Sequence, residues 1–385
     1  MLESFANFLQ NTGLYALISS GGIDAVKTII MIAIACVLLY LAIVKKFEPL
    51  LLLPIAFGML LSNLPMIKDS SAIMMHTEFF TNPEYMTDGK YINVGYICQH
   101  GGLLDLLYLG VKLGIYPPLI FVGIGCMTDF GPLIANPKSI LLGAAAQFGV
   151  FFTFVGALVL SALVPSINFG IKEAASIGII GGADGPTAIY VTKSLAPALL
   201  PAIAVAAYSY MALIPVIQPP IMKLMTRKKD RMIVMEQLRP VSKTEKILFP
   251  IIVTIIVALI IPDAVSLVGC LMLGNLMKES GVVERLTKMA QNELMNIITL
   301  FLGVTVGATA TASSFLSAQT IGIIVLGLIA FCFSTVGGLF LGDIMCWVTK
   351  GKVNPLIGSA GVSAVPMAAR VSQTVGQKEN PSNFL

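Results

Sequence analysis

The sequence predicts an all-α protein that crosses a membrane about 9–11 times, because several apolar runs reach the roughly 20 residues that one crossing needs. Of the 385 residues, 56% are apolar and only 11% are charged, whereas a soluble chain carries about 25% charged residues. An internal duplication further predicts that two copies of one helical unit make up most of the chain. The net charge of +4 is too small to indicate binding of nucleic acid.

The chain divides into five segments of different composition. In order, they are an N-terminal segment (1–22), a first repeat (23–197), a linking helix with a basic loop (198–246), a second repeat (247–375) and a polar tail (376–385). The first segment is either an amphipathic segment at the membrane interface or an ordinary packing helix. It lacks the basic start of a cleavable signal peptide.

The distribution of charge predicts the topology. Residues 24–44 form the first clear span, and Lys45 and Lys46 follow it directly. The block 223–246 holds eight Lys or Arg residues against three acids. Since cytoplasmic loops are rich in Lys and Arg, we expect both places to lie in the cytoplasm. The loop 65–100 is polar with balanced charge, so we expect it outside, and the N-terminus with it.

Three pairs of segments repeat in the same order along the chain. They are 60–64 with 272–276, 101–125 with 281–305, and 180–184 with 357–361. Their offsets are 212, 180 and 177 residues, so the first copy carries an insertion at the outer loop. The first copy enters the membrane from outside and the second from inside. The sequence therefore predicts two inverted repeats, an architecture found in many secondary transporters.

Each copy contains one apolar segment in which Gly and Pro interrupt a helix. The first reads Gly-Gly-Ala-Asp-Gly-Pro-Thr over 181–187, and the second covers 351–366. In inverted-repeat proteins such broken helices meet near the membrane midplane and form the ion site. Asp184 adds a carboxylate to the freed backbone oxygens, a combination that suits a small hard cation. The alternative is an acid that only caps a half-helix, but the matching position of the second copy is Gly361.

Several polar residues near the breaks are further candidates. Thr187 and Ser363 offer hydroxyl oxygens to a cation. Asn354, Ser359 and Ser363 either cap helix ends or supply neutral oxygens. Arg370 is either an arginine that reaches to the cytoplasmic interface or an anchor for an anionic group that enters from the cytoplasm.

Four more residues have a functional and a structural interpretation. Tyr208 and Tyr210 are either interface or core aromatics, or a phenol that relays a proton at Asp184. Asp129 lies in another broken element and is a candidate for the ion pathway, and Asp343 near the second break is a weaker one. Six scattered cysteines and two histidines give no metal site, so we expect no metal other than sodium. No soluble-enzyme motif is present.

The break around Asp184 closely resembles the signature of one family, the β subunits of biotin-dependent, sodium-pumping decarboxylases. The complete decarboxylases of this family act on oxaloacetate, glutaconyl-CoA, methylmalonyl-CoA or malonate. The stretch 354–366, Arg370 and Tyr210 are also similar to positions of that family. The resemblance covers nearly the whole chain, and its motifs are long and unusual.

This resemblance implies an enzyme subunit in the bacterial cytoplasmic membrane that decarboxylates carboxybiotin, exports Na⁺ and consumes a proton. The biotin would be carried covalently on a partner subunit. The implied catalytic residues are Asp184, Tyr210 and Arg370, and the sodium-binding residues are Asp184, Thr187, Asn354, Gly358, Ser359 and Ser363. The implied partners are a carboxyltransferase subunit, a biotin carrier subunit, a small membrane-anchor subunit and membrane lipid, and the chain itself could form a homo-oligomer.

The alternative function is a stand-alone secondary transporter, either a cation/proton antiporter or a symporter of Na⁺ with an organic anion. It would share the fold but need no biotin carrier. The organic acid stays open at this point, because another subunit selects it. The ion stoichiometry and the oligomeric state also stay open.

Overall fold

The computed structural model describes residues 12–46, 49–65, 75–80, 82–88, 91–235, 238–362 and 365–385. Within these ranges the chain is almost entirely helical, which confirms the predicted all-α class. The only strands in the described ranges are β1 (Met86–Thr87) and β2 (Tyr91–Ile92), which pair antiparallel in the predicted outer loop. Ser363 and the first half of the N-terminal segment lie outside the described residues.

The helices before the basic loop alternate between long apolar ones and short ones. In chain order they are α1 (Gly13–Ser19), α2 (Gly22–Ile43), α3 (Pro49–Asn63), α4 (Val94–His100), α5 (Leu103–Lys112), α6 (Tyr116–Met127), α7 (Gly131–Ala135), α8 (Ile140–Ala146), α9 (Phe148–Leu163), α10 (Ile171–Gly178), α11 (Gly185–Leu195) and α12 (Leu200–Met225). Tight 3₁₀ turns connect several of them, and most of these turns begin at a proline.

The remaining helices follow the same alternation. They are α13 (Lys228–Arg231), α14 (Lys243–Ile260), α15 (Val265–Ser280), α16 (Glu284–Met289), α17 (Met295–Ala308), α18 (Ala312–Phe315), α19 (Ala318–Val348) and α20 (Val365–Glu379). A π turn over Ala290–Leu294 joins α16 to α17, and a 3₁₀ segment over Pro355–Gly361 precedes α20.

Three stretches of the described chain are long and apolar enough to cross a membrane alone, namely Gly22–Ile43, Pro137–Leu163 and Ala318–Val348. Two bent segments, α5 with α6 and residues 197–225, raise this number to five if each forms one span. The chain is therefore a membrane protein. The larger number of crossings expected from the sequence includes shorter, broken and partly charged helices, and it stays a prediction.

Two helix ends differ from the expected boundaries. The second repeat was expected to begin at residue 247, but its first helix already begins at Lys243, because Ser242 and Glu245 form a reciprocal cap. Hydrogen bonds from Arg239 and Ser242 also lower the pKa of Glu245 to about 2. The last helix continues to Glu379, past the expected end of the second repeat at 375. In both cases polar residues at a helix end join the helix, and an apolar window does not detect them.

Helices from the two expected copies pack against one another in an exchanged pattern. Helix α3 of the first copy packs along α17 of the second, and α15 of the second packs along α6 of the first. Both contacts are close: a Cβ at Gly274 would collide with the Val122 carbonyl, and one at Gly307 with the Ile55 carbonyl. Helices α9 and α19 complete the contact between the copies. The duplication of the unit and the opposite orientation of the copies both stay predictions.

Helix α12 runs through the interior of the molecule and contacts α11, α19 and α20. Its first half is buried around Ile203, Ala204 and Val205. It contains Pro215 and Pro219 with the adjacent proline at 220, and each removes a backbone N–H from the helix. Because α11 and α20 each follow one of the expected breaks, this helix lies close to both breaks.

Candidate functional site

The first break lies between α10 and α11. After Gly178 the chain tightens into a 3₁₀ turn over Ile179–Gly181. The amides of Gly182 and Ala183 both donate to the Ile179 carbonyl, at 3.1 and 3.0 Å. Helix α11 then begins with Gly and Pro, which suit a helix start. The chain thus interrupts its helix where the sequence predicted.

Asp184 is the N-cap of α11. The Thr187 amide donates to its Oδ1 at 3.0 Å, so this acid caps the half-helix, and its role in binding a cation stays a prediction. No Lys or Arg of the described residues forms an ion pair with Asp184. A carboxylate has about four lone-pair sites, so capping leaves it acceptor capacity for a cation. The side chain is partly buried at the positive end of a helix, where a negative charge is favoured.

Tyr208 of α12 lies next to this acid. Its ring packs directly against Gly185, where a Cβ would collide with it, and it is close enough to interact electrostatically with Asp184. The side chain is only 2% exposed, and its hydroxyl has no hydrogen-bond partner among the described residues. A buried phenol oxygen with an unused hydrogen-bonding capacity therefore lies beside Gly185, the residue that follows the acid.

Tyr210, which the resemblance favoured, points to a different part of the molecule. Its hydroxyl donates to the Ile324 carbonyl of α19. Its ring packs edge-on to Phe331, with ring centroids 5.6 Å apart. Two residues apart on a helix means about 200° around its axis, so Tyr208 and Tyr210 face different neighbours. The catalytic role of Tyr210 stays a prediction.

Helix α19 contacts both breaks within a few residues. The Ser334 hydroxyl donates to the Gly181 carbonyl of the first break. One turn later, Gly338 packs backbone to backbone against Gly358 of the second break. Gly358, expected as a sodium ligand, is thus a close-packing position here, and its ligand role stays a prediction.

The junction of α8 and α9 also contacts both breaks. Gln147 Nε2 donates to the Gly182 carbonyl at 3.2 Å. On the other side, Gly361 packs against Gly143 and Ala146 of α8. The two breaks therefore share two sets of neighbours, one from each expected copy.

Asn354 holds the start of the second break. It is fully buried, and its Nδ2 donates to the carbonyls of Arg231 and Ile233, both at 2.9 Å. Its Oδ1 accepts from the Leu356 amide at 3.0 Å. The capping interpretation of this residue is thus correct, and the residue also ties the basic loop to the break. Its role as a sodium ligand stays a prediction.

Ser359 connects the second break to α20 and α12. Its hydroxyl donates to the Leu356 carbonyl at 2.6 Å and lies 2.8 Å from the Ser372 hydroxyl of α20. Its carbonyl accepts from Gln218 Nε2 of α12 at 2.6 Å. The Oε1 of Gln218 has no partner among the described residues. Ser359 is a candidate from its sequence context, whereas Gln218 and Ser372 are not. A polar residue inside an otherwise apolar helix is the signal that could have identified Gln218.

Arg370 lies on α20, where it is exposed and lines a cavity of about 420 Å³ between α12 and α20. Lys223 and Lys378 line the same cavity. Among the described residues of its lining, the single acid is Glu379, which forms an ion pair with Arg231 at 3.1 Å. The cavity is thus a positively charged groove beside the basic loop, and we call it the Arg370 groove.

Asp129, the ion-pathway candidate, is a half-exposed residue in an ion pair. Its carboxylate lies 3.4 Å from Lys246 Nζ and accepts from the Gly131 amide at 2.9 Å. The amide and the lysine hold the pKa of this carboxyl below its usual value. Asp343 lines a separate cavity of about 780 Å³ with Arg227 and Lys350. No hydrogen bond or ion pair within the described ranges joins either acid to Asp184, and both pathway roles stay predictions.

The described residues contain no group of three or more His, Cys, Asp or Glu that could hold a metal ion. Any cation at the breaks would therefore depend on backbone and hydroxyl oxygens around one carboxylate. The fold and these features define a polytopic helical membrane protein with an acid at a helix break in its interior.

Comparison with known proteins assigns the family. Residues 27–385 match the family model described as the Na⁺-transporting oxaloacetate decarboxylase beta subunit. Methylmalonyl-CoA decarboxylase subunit beta of Propionigenium modestum is 57% identical over 385 residues, covering 100% of this chain and 93% of its own. Glutaconyl-CoA decarboxylase subunit beta of Acidaminococcus fermentans is 55% identical over 356 residues, covering 92% and 86%. Oxaloacetate decarboxylase beta chain of Klebsiella pneumoniae is 49% identical over 415 residues, covering 100% and 93%.

The chain belongs to this family of beta subunits, as the sequence predicted. It is a membrane-embedded enzyme subunit of a Na⁺-transporting decarboxylase and works within a multisubunit complex. The relatives carry names for three different substrates, so family membership leaves the organic acid open.

Proposed function

We propose that this chain decarboxylates carboxybiotin in the Arg370 groove and couples that step to export of Na⁺ through a site at Asp184. The observation that carries the proposal is a chain of contacts that links the Arg370 groove to the break at Asp184. Helix α20 carries Arg370, and two residues later Ser372 is bonded to Ser359 of the second break. That break and the first one, with Asp184, pack on the same turns of α19.

The proposed sodium site consists of Asp184, the phenol oxygen of Tyr208 and backbone oxygens of the breaks. Thr187, Ser359 and Ser363 are the further hydroxyl candidates. Sodium suits hard oxygen ligands, as other small hard cations do. Its charge would offset the single carboxylate, which is costly to leave ionised inside a membrane.

The proposed chemical step needs a place for an anion and a source of a proton. In carboxybiotin the bond between the biotin nitrogen and the carboxylate carbon breaks, and its electron pair stays on nitrogen. Carbon dioxide leaves, and the nitrogen takes up one proton. The Arg370 guanidinium would hold the carboxylate by paired hydrogen bonds, with Lys223 and Lys378 raising the local concentration of anions.

The proposed coupling is an exchange of ions at Asp184. Sodium is bound from the cytoplasm and released outside, and a proton then replaces it on the carboxylate. The returning proton supplies the one that decarboxylation consumes. Each net positive charge exported, that is each sodium ion not balanced by a returning proton, requires about 2.3 kcal/mol per 100 mV of membrane potential, and the free energy of decarboxylation would supply this work and that of the sodium gradient. Movement of one expected repeat against the other would alternate the access.

We also propose the partners. A carboxyltransferase subunit would load biotin, a carrier subunit would present it at the Arg370 groove, and a small membrane-anchor subunit would hold the assembly at the membrane. A biotinylated carrier captured on avidin should retain this chain, whereas a stand-alone transporter would not be retained.

The test compares Asp184→Asn with Asp24→Asn, which changes an exposed acid paired with Lys27, in the complete complex reconstituted into vesicles. Both variants remove one carboxylate charge without changing size. We expect Asp184→Asn to abolish both sodium uptake and the stimulation of decarboxylation by sodium, and Asp24→Asn to retain both. If sodium uptake and sodium-stimulated decarboxylation persist in Asp184→Asn, the proposed site is wrong.

A further inference from the structure

Lys112, the last residue of α5, is a buried cation for which the described part of the chain offers no acidic partner. Its side chain is 6% exposed, and no Asp or Glu of the described residues lies within ion-pair distance of it. The ammonium group makes a cation–π contact with Tyr108, whose ring centroid lies 5.7 Å from Nζ. An unpaired buried charge is costly, so this lysine requires an explanation.

The acid two turns earlier on the same helix face cannot serve as its partner. Asp105 is fully buried, and its Oδ1 accepts from the His76 amide at 2.7 Å. Its Oδ2 lies 2.7 Å from the His76 ring nitrogen Nδ1 and accepts from the Gly102 amide at 2.9 Å. Both carboxylate oxygens are thus engaged in holding the outer-loop segment against α5.

The lysine lines a cavity with both polar and apolar side chains. The cavity has a volume of about 270 Å³, and its lining includes Thr309 and Ser314 beside Lys112. Phe80 covers it from the outer-loop side and packs edge-on to Tyr108, with ring centroids 4.9 Å apart. None of the described residues in its lining is acidic. We call this the Lys112 cavity.

We propose that the Lys112 cavity binds a small monovalent anion, the size of chloride or of a one-carbon carboxylate such as formate or bicarbonate. One ammonium matches one negative charge, and its three N–H donors suit a compact acceptor. The volume holds such an anion with a few waters, since each water takes about 30 Å³. The cavity is adjacent to a second, uncharged one through Ala198, Pro201 and Ser314, which gives an entry path.

The role of this anion is to neutralise a positive charge on the side of the molecule that the charge pattern places outside. A cation that leaves past an unpaired ammonium would be repelled, and a bound anion removes that repulsion. The proposed anion site depends on Lys112 and its cavity alone, so it stands or falls separately from the sodium site at Asp184.

The experiment measures the melting temperature of the purified complex at constant sodium and ionic strength, with gluconate replaced by bromide or by formate. We expect a saturable rise of about 2 °C or more in the unsubstituted protein. The rise should be absent in Lys112→Met and retained in Lys112→Arg. A response to bromide alone, or to formate alone, identifies the occupant as a halide or a carboxylate.

Two controls separate the possible causes. Lys193→Met removes another partly buried lysine and should leave the response intact, as should Asp184→Asn. The proposal is overturned if the unsubstituted protein shows no saturable rise, or if Lys112→Met responds as it does. Should Lys112→Met fail to fold, anomalous scattering from bromide in crystals of the unsubstituted complex decides: a peak at Lys112 supports the proposal, and its absence overturns it.

Discussion

Replacing Tyr208 with phenylalanine separates stability from sodium binding. The hydroxyl is buried without a partner among the described residues, and an unsatisfied buried polar group costs about 1–3 kcal/mol. Its removal should therefore leave the melting temperature unchanged or raise it. If the oxygen is a sodium ligand, losing about 1.4 kcal/mol of binding free energy raises the sodium dissociation constant about tenfold.

The assay is sodium-dependent decarboxylation by the complete complex, with melting temperature as the second measurement. We expect the half-saturating sodium concentration of Tyr208→Phe to rise about tenfold. The matched control, Tyr210→Phe, makes the same chemical change two residues away. It breaks the hydrogen bond to the Ile324 carbonyl, which is worth about 1 kcal/mol.

The control variant should therefore melt at a lower temperature without any shift in half-saturating sodium. The reasoning is refuted if Tyr208→Phe leaves the sodium dependence unchanged, or if it destabilises the protein as much as Tyr210→Phe does.

Three further substitutions test other parts of the structure. Asn354→Ala removes the bonds to the Arg231 and Ile233 carbonyls and the bond from the Leu356 amide. The Arg231 carbonyl keeps its bond from Asn383 Nδ2 at 3.0 Å, so thermal unfolding should show a loss of about 1–3 kcal/mol, whereas a neutral result would contradict the assigned bonds. Asp129→Asn removes an exposed ion pair with Lys246. Because the folded pKa of that carboxyl is lowered, its contribution to stability is present above its usual pKa and disappears as the pH falls through the lowered value. The variant should therefore melt less pH-dependently in acid, and an unchanged acid profile would contradict the pair. Arg370→Gln should lower carboxybiotin decarboxylation more than Lys223→Gln does, since only the guanidinium can hold a carboxylate by two parallel hydrogen bonds; equal losses would argue against that geometry.

Local sequence features were enough to predict the helical class and the position of the first break. Apolar runs, Gly and Pro determine the conformation of the backbone within a few residues of their own positions. The cap at Asp184 follows from its place directly before a Gly-Pro helix start. The internal duplication indicated the second break, and the family resemblance added the expected roles of Arg370 and Tyr210. These are the parts of the fold that need no knowledge of which helices touch.

The partners across the site were not predictable in the same way. Ser334, Gln147 and Gln218 reach the breaks from helices that are apolar on nearly every side, and such helices have no polar face to show which way they turn. Tyr208 was considered with Tyr210, and only the rotation of α12 distinguishes them. Long-range packing decides these contacts.

The most direct test of the central claim is equilibrium binding of sodium to the purified complex without turnover, measured by isothermal titration. The proposal predicts a saturable sodium isotherm in the unsubstituted complex, a weakened one in Tyr208→Phe and none in Asp184→Asn. An isotherm in Asp184→Asn that matches the unsubstituted complex would contradict a sodium site at the break.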